Sequence, residues 1–257
     1  MRVTVLGSGT SHGIPSVGCS CATCLSPDPR DRRWRSSIAV QWRGKSLVVD
    51  TPPELRLHAL RSHIRRIDAL FYTHSHADHL FGLDDVRRYN DMQKSEMPIF
   101  ARPDVLEDIR RAFRYVFVTT QVGGGKPRLA LTEIESDSVE WAGLRVEAIP
   151  ILHGWLPILG YRFGRYAHIT DASAIPLESM DRLRGLHTLT LGALRWEAHP
   201  THFNIPQALE VVRELKPERT FFTHISHEVS HADTEARLPA GVRLAYDGLH
   251  LAVPETD

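Results

Sequence analysis

Three observations predict an α/β fold, with two β-sheets carrying helices on their outer sides. Short apolar or β-branched runs of strand length open the chain and recur in both halves. Segments with helical periodicity are interspersed among them rather than gathered at one end. No repeat, low-complexity tract or Pro/Ser-rich linker divides the sequence, so residues 1–257 read as a single domain.

In order, residues 2–7, 36–42, 46–50 and 69–72 read as strands, and residues 54–62 and 79–93 carry helical patterns. Residues 103–117 read as a helix as well. Pro103 sits where a first turn tolerates it, and Val105, Ile109, Ala112, Phe113 and Val116 are spaced for one face. Gly123-Gly124-Gly125 reads as a loop. Lys126 follows it, but the rest of the spacing of a phosphate-cradling loop is absent. Residues 139–149, 158–163, 166–170 and 187–191 read as strands. Ile205, Leu209 and Val212 mark the apolar face of a helix over 204–215, and a strand follows at 219–223.

Composition narrows the function classes. Hydrophobic residues are 42% and charged residues 24%, which is ordinary globular material. Lys+Arg and Asp+Glu are 31 each, so a strongly basic nucleic-acid binder is disfavoured, although a local basic groove is not. No apolar run approaches the roughly 18–20 residues of a membrane span. The opening Met1–Gly7 stretch is too short for a signal peptide. A cytoplasmic protein with no membrane partner is the expectation. The 15 histidines outnumber Met, Cys and Trp combined, and they cluster.

The sharpest cluster is Thr73-His74-Ser75-His76-Ala77-Asp78-His79, directly after the apolar strand Ala69-Leu70-Phe71-Tyr72. His74 and His76 are two apart, so from an extended segment they point the same way. Asp78 and His79 follow a turn into helix and face a second point. Four ligand-type side chains in six residues are costly to bury without a metal.

This H-x-H-x-D-H string resembles the signature of the metallo-β-lactamase superfamily. The resemblance implies an αββα sandwich with a dinuclear metal site at the sheet edges. It also implies a later His, a later Asp and a last His at strand ends, and His153, Asp171 and His224 occupy such positions. Taken singly each is a weak signal, since a lone His after a strand is more often structural; their order after the motif gives them weight. By this resemblance His74, His76 and His153 hold one metal, Asp78, His79 and His224 hold the other, and Asp171 bridges. Two such metals generate a hydroxide near neutral pH and clamp a phosphoryl oxygen, so a phosphodiester is the natural substrate. Ligand type suits zinc and also admits manganese or iron.

All the cysteine lies in Cys19-Ser20-Cys21-Ala22-Thr23-Cys24. An odd count speaks against a disulfide framework. The spacing offers three thiolates that need one more ligand for zinc, a redox-active thiol cluster being the alternative. Here the resemblance narrows. Gly7-Ser8-Gly9-Thr10 through Cys24, Thr223-His224-Ile225-Ser226-His227 and Ala245-Tyr246-Asp247-Gly248-Leu249 are similar to segments of the phosphoribosyl cyclic phosphate phosphodiesterase family, and the similarity covers residues 3 to about 253. That family implies a structural zinc on Cys19, Cys21, Cys24 and His227. It also aligns His202, in His199-Pro200-Thr201-His202, with a histidine outside the metal shell that serves as general acid or orients the phosphate. His199 competes for this role. Asp78, also a ligand, and His202 are thus the expected catalytic residues.

The expected enzyme is a phosphodiesterase acting on a small phosphodiester through a metal-bridging hydroxide, a cyclic ribosyl diester being one candidate. Its expected cofactors are two catalytic divalent metals, zinc or manganese, and one structural zinc; a homodimer is allowed. Ribonuclease Z shares the metal ligands. It would need a basic grip on tRNA, for which Arg30, Arg32, Arg33, Arg35, Arg110, Arg111 and Arg114 are the candidates, and a solvated arginine face is the alternative. A di-iron oxidoreductase would call for more carboxylates and a flavin partner domain, and a non-enzymatic binding protein has little use for a dinuclear site. The stretch Val86–Gly125 departs from the family pattern and forms much of the expected pocket wall.

Overall fold

A computed structural model describes residues 1–119, 125–134 and 137–255. Its strands form two sheets. The first holds β1 (Arg2–Gly7), β2 (Ser37–Trp42), β3 (Lys45–Val49), β4 (Ala69–Phe71), β5 (Met97–Ala101) and β6 (Leu129–Glu133). The second holds β7 (Ser138–Trp141), β8 (Leu144–His153), β9 (Leu156–Phe163), β10 (Tyr166–Ile169), β11 (Thr188–Gly192), β12 (Arg219–Thr223) and β13 (Val242–Leu244). A last strand, β14 (His250–Ala252), returns to the first sheet and pairs with β1. The orders are β14-β1-β2-β3-β4-β5-β6 and β13-β12-β11-β10-β9-β8-β7. Counted from β14 in the first sheet and from β7 in the second, each has three antiparallel pairings and then three parallel ones.

Period-two alternation builds the layers. Val3 and Val5 of β1, Leu47 and Val49 of β3, and Phe71 of β4 meet Val146, Tyr161, Phe163 and Tyr166 in a core between the sheets. The opposite face of the first sheet, with Leu6, Ala39, Val48 and Leu70, is covered by α1 (Leu55–Arg61), α2 (Ala77–Leu80), α3 (Arg87–Gln93), α4 (Pro103–Ala112) and α5 (Arg114–Phe117). The outer face of the second sheet, with Ile149, Ile151, Ile169 and Leu191, is covered by α6 (Leu177–Arg182) and α7 (Ile205–Leu215); α8 (His231–Glu235) follows β12. The result is the four-layer αββα sandwich. No described helix is long and apolar enough to cross a membrane.

The expected helix over 79–93 is three pieces: α2, a 3-10 turn at Leu83–Val86, and α3. Gly82 breaks it. A Cβ there would lie 2.0 Å from the Pro52 carbonyl oxygen, and its N–H donates to the Thr51 carbonyl at 2.8 Å, so the chain is held against the start of α1. The expected helix over 103–117 breaks at Phe113, and the strand over 139–149 is a hairpin of β7 and β8 turning at Ala142-Gly143. Strands β5, β6, β13 and β14 were not expected. In the glycine loop, Gly123 and Gly124 lie outside the described residues.

Candidate metal centre

The side chains of the metal set leave the carboxyl-end edge of both sheets, where parallel strands stop and their loops converge. From the first sheet, β4 runs into Thr73 and His74, and α2 carries Asp78 and His79. From the second, β8 ends on His153, Asp171 follows β10 by two residues, and His224 follows β12 by one. Asp171 and His224 have left-handed backbone, φ 58° and 55°, as does Asp50 after β3 at 62°. Such conformations cost energy in non-glycine residues and here re-aim three side chains at one point. Two bonds knit the sheets beneath that point: Leu159 N–H to the Thr73 carbonyl at 3.1 Å and the Tyr161 hydroxyl to the Tyr72 carbonyl at 2.6 Å.

Every residue of the expected metal set is brought together. Candidate ligand atoms of His74, His76 and His153 lie within 4.8 Å of one another, as do those of Asp78, His79 and His224 and those of His74, His79 and Asp171. Asp171 Oδ2 is 3.3 Å from His79 Nε2, and its Oδ1 is 3.1 Å from His224 Nε2, so it stands between the two groups.

Tautomers are fixed from behind. The His79 Nδ1–H donates to Asp50 Oδ2 at 2.7 Å. The His74 Nδ1–H donates to the Thr73 hydroxyl at 2.9 Å, and that hydroxyl donates to Asp50 at 2.8 Å. The His153 Nδ1–H donates to the Thr201 carbonyl at 2.8 Å. Each ring therefore turns its Nε2 toward the centre, the nitrogen a metal would take. The Nε2 atoms of His74, His79 and His224 are buried; that of His74 has no hydrogen-bond partner, and those of His79 and His224 meet only the shared Asp171 carboxylate, outside good hydrogen-bond geometry. Buried imidazole nitrogens left so are expensive unless a cation takes the lone pair, so the residues present fit a pair of divalent metals.

Burial pushes His74 well below the ordinary histidine range. Burial acts the same way on His79, but Asp171 and Asp50 outweigh it and raise His79 well above that range. Burial opposes ionisation of Asp171, yet the flanking His224 and His79 hold it well below the usual carboxylate range. This is an electrostatic trap built for cations.

His202 joins the cluster. Its ring is 4.6 Å from that of His153 and 4.9 Å from that of His224, and its Nδ1 is 3.7 Å from Asp171 Oδ1. It sits within ligand reach of His153 and Asp171. Burial, then the charge of His224, push it down to about 3. His199 stands behind it, 5.1 Å ring to ring, with Nδ1 3.3 Å from the Thr201 hydroxyl. His12 is exposed.

A second cluster gathers Cys19, Cys21, Cys24 and His227, ligand atoms within 4.8 Å. His227 Nδ1 is 3.4 Å from Cys19 Sγ and 3.3 Å from Cys21 Sγ. His227, then the Cys24 N–H, lower the Cys21 thiol to about 6, whereas burial pushes Cys24 up to about 11. A lowered thiol beside an imidazole is the donor chemistry zinc selects. The opening motif holds this loop against the catalytic edge. Gly7 lets the Arg35 carbonyl approach to where a Cβ would be 2.0 Å away, and Ile225, next to His224, exchanges backbone bonds with Ser8 and Thr10.

Asp50 is the residue that sequence reasoning missed. Its signal was a lone carboxylate ending an apolar strand. The arginines divide. Arg33 is fully buried, bonded to Asp31 and the Val229 carbonyl, and Arg35 is paired with Glu54 and the Ser11 carbonyl. Neither is free to grip RNA.

Residues 45–225 match the beta-lactamase superfamily domain. A solved structure described as a new diphosphatase from the PhnP family has a TM-score of 0.93 and 42% identity, covering 98% of each chain. An octanoyltransferase of Porphyromonas gingivalis is 37% identical over 99% of this chain and 52% of its own length. A ribonuclease Z of Staphylococcus saprophyticus is 29% identical over 63% of this chain and 49% of its own. The chain thus spans about half the length of these curated relatives.

Proposed function

The chain belongs to the metallo-β-lactamase superfamily and, within it, to the PhnP family, and from that premise we propose that it hydrolyses small phosphodiesters, a cyclic ribosyl phosphate among them. The observation that carries the reading is the set of buried Nε2 atoms on His74, His79 and His224 converging around Asp171.

His74, His76 and His153 are the proposed holders of one metal and Asp78, His79 and His224 of the other, with Asp171 shared. Two divalent metals, zinc or manganese, would supply an acidified water for attack on phosphorus and positive charge for the phosphoryl oxygens. Asp50 keeps two imidazoles in the ligating tautomer, and the Thr201 carbonyl does so for His153. His202 faces the same space and is proposed to orient the phosphate and hand a proton to the departing oxygen. It is neutral in the free protein, and the negative charge of a bound phosphate favours its protonation. The other four-ligand cluster, Cys19, Cys21, Cys24 and His227, is proposed as a structural zinc site.

The diphosphatase relative attacks the same element, and its likeness supports phosphoryl rather than acyl chemistry. Acyl transfer, named for a relative about twice as long as the part matched here, is not proposed for this chain. A ribonuclease reading is supported by the partial ribonuclease Z match, but burial of Arg33 and pairing of Arg35 weaken the basic surface it would need. The test is a panel on the purified holoprotein: ribose 1,2-cyclic phosphate, 2′,3′-cyclic nucleotides, bis(p-nitrophenyl) phosphate and precursor tRNA. Turnover of the small diesters is expected. Cleavage of the tRNA alone would replace this reading with the ribonuclease one.

A further inference from the structure

On the outer face of the first sheet, α1 and α3 leave between them an open trough of about 630 Å³ that shares no lining residue with the metal centre. Its floor is apolar. Leu55, Ile64 and Tyr89 are buried there, and the Tyr89 hydroxyl donates to the Ile64 carbonyl at 2.7 Å. Ala59, the smallest lining side chain, makes the depression. Leu60 and Met92 stand on opposite lips, 60% and 49% exposed. Contiguous apolar surface left in water beside a concavity marks a binding site more often than a bare surface.

The rim is mainly basic. Arg56, Arg65 and Arg88 line the trough; the Arg56 N–H donates to the Asp85 carboxylate, whereas among the described residues no ion pair engages the guanidinium of Arg65 or Arg88. Arg87 is already paired with Asp84 at 3.4 Å. The one lining carboxylate, Asp85, is half-buried and pushed up by that burial. Guanidinium groups without partners around an apolar floor match a ligand that is apolar in its body and anionic at its end.

Size and charge choose among occupants. Each flanking helix has seven residues, so the trough runs for about 10 Å. The volume lies in the ordinary range for small molecules. A second copy related by a two-fold axis would bring the same arginines face to face. We propose that the trough binds a small amphiphilic anion, a hydrocarbon body of about eight carbons carrying a sulfate, phosphate or carboxylate head.

The probe is octyl sulfate added to the metal-loaded protein, a sulfate ester being a poor metal ligand. The readout is the methyl NMR spectrum of the four methionines, of which Met92 stands on the lip and Met180 lies under the other sheet. Expected is a saturable shift of the Met92 methyl alone, half-complete on the order of 0.1–1 mM. Octanol and free sulfate should produce none. The doubly substituted Arg65→Glu, Arg88→Glu protein should bind at least about tenfold more weakly. Ala59→Phe should abolish the shift by filling the floor, with an unmoved Met180 signal reporting an intact fold. Absence of a saturable shift, an equal response to octanol, or unchanged binding in the charge-reversed protein would overturn the proposal. So would pelleting with anionic phospholipid vesicles that persists in Ala59→Phe, because the patch would then be a membrane surface rather than a pocket.

Discussion

Asp50 shows how much a residue that touches no metal can decide. It accepts from His79 and from Thr73, which in turn fixes His74, so one carboxylate orients two rings. The H-x-H-x-D-H run was legible because ligands are dense in sequence; Asp50 was not, because its partners lie 23 and 29 residues away. His202 is the residue whose role experiment must divide. If it acts on the leaving group, His202→Ala retains both metals and slows turnover by about 10²–10⁴-fold on a ribosyl diester, with a much smaller defect on a nitrophenyl ester. Equal defects on both substrates would leave it only the phosphate-binding role, and lost metal would make it a ligand. A pH effect belongs to His58. It is fully buried against Trp34, neither ring nitrogen has a partner, and burial lowers it to about 3. Its folded pKa lies below the unfolded value near 6.5, so below that pH the unfolded chain takes a proton that the folded one refuses, and stability falls. The contribution from this residue is about 2 kcal/mol lost between pH 8 and pH 5. Denaturant titrations at both pH values should show His58→Leu losing less than the wild type by that amount, and equal losses would contradict it.

Among elements, α2 carries the most function in the least length. Its four residues include Asp78 and His79, and no side-chain cap secures it. What fixes it is the backbone on either side: Thr51 N–H to the His79 carbonyl at 2.7 Å and Gly82 N–H to the Thr51 carbonyl at 2.8 Å. The helical pattern over 79–93 was real as an apolar period, but periodicity carries no information about the close approach of Pro52, which only the fold creates. Gly82→Ala is therefore expected to destabilise by about 2–4 kcal/mol, through overpacking against rigid backbone, and to weaken binding of the metal proposed for Asp78 and His79. Stability and metal content both equal to wild type would refute this account of the break. The helix at 204–215 was legible almost to the residue from the spacing of Ile205, Leu209 and Val212, and in the structure Asn204 and Gln207 close its start with a reciprocal capping box.

At the scale of the molecule, neither sheet holds a complete site. The first contributes His74, His76, Asp78 and His79, and the second contributes His153, Asp171 and His224, so the centre exists only when both sheets have paired and packed. The order of ligands along the chain made the sandwich legible. The matching pattern of antiparallel and parallel pairings in the two sheets was not, since Leu129–Glu133, Val242–Leu244 and His250–Ala252 are too short or too polar to stand out as strands. The cysteine loop ties the start of the chain to the segment after β12, and Cys21→Ser should lose one zinc by elemental analysis and reduce folded yield more than turnover per folded molecule. Retention of that zinc would remove the assignment. The central claim, that paired metals at the shared edge serve phosphoryl hydrolysis, is tested most directly by stripping the protein with a chelator and titrating zinc or manganese back while following bis(p-nitrophenyl) phosphate. The account predicts no turnover in the stripped protein and activity that rises until two equivalents fill the centre, with Asp171→Asn inactive throughout. Turnover that survives chelation, or that is restored in full in Asp171→Asn, would contradict it.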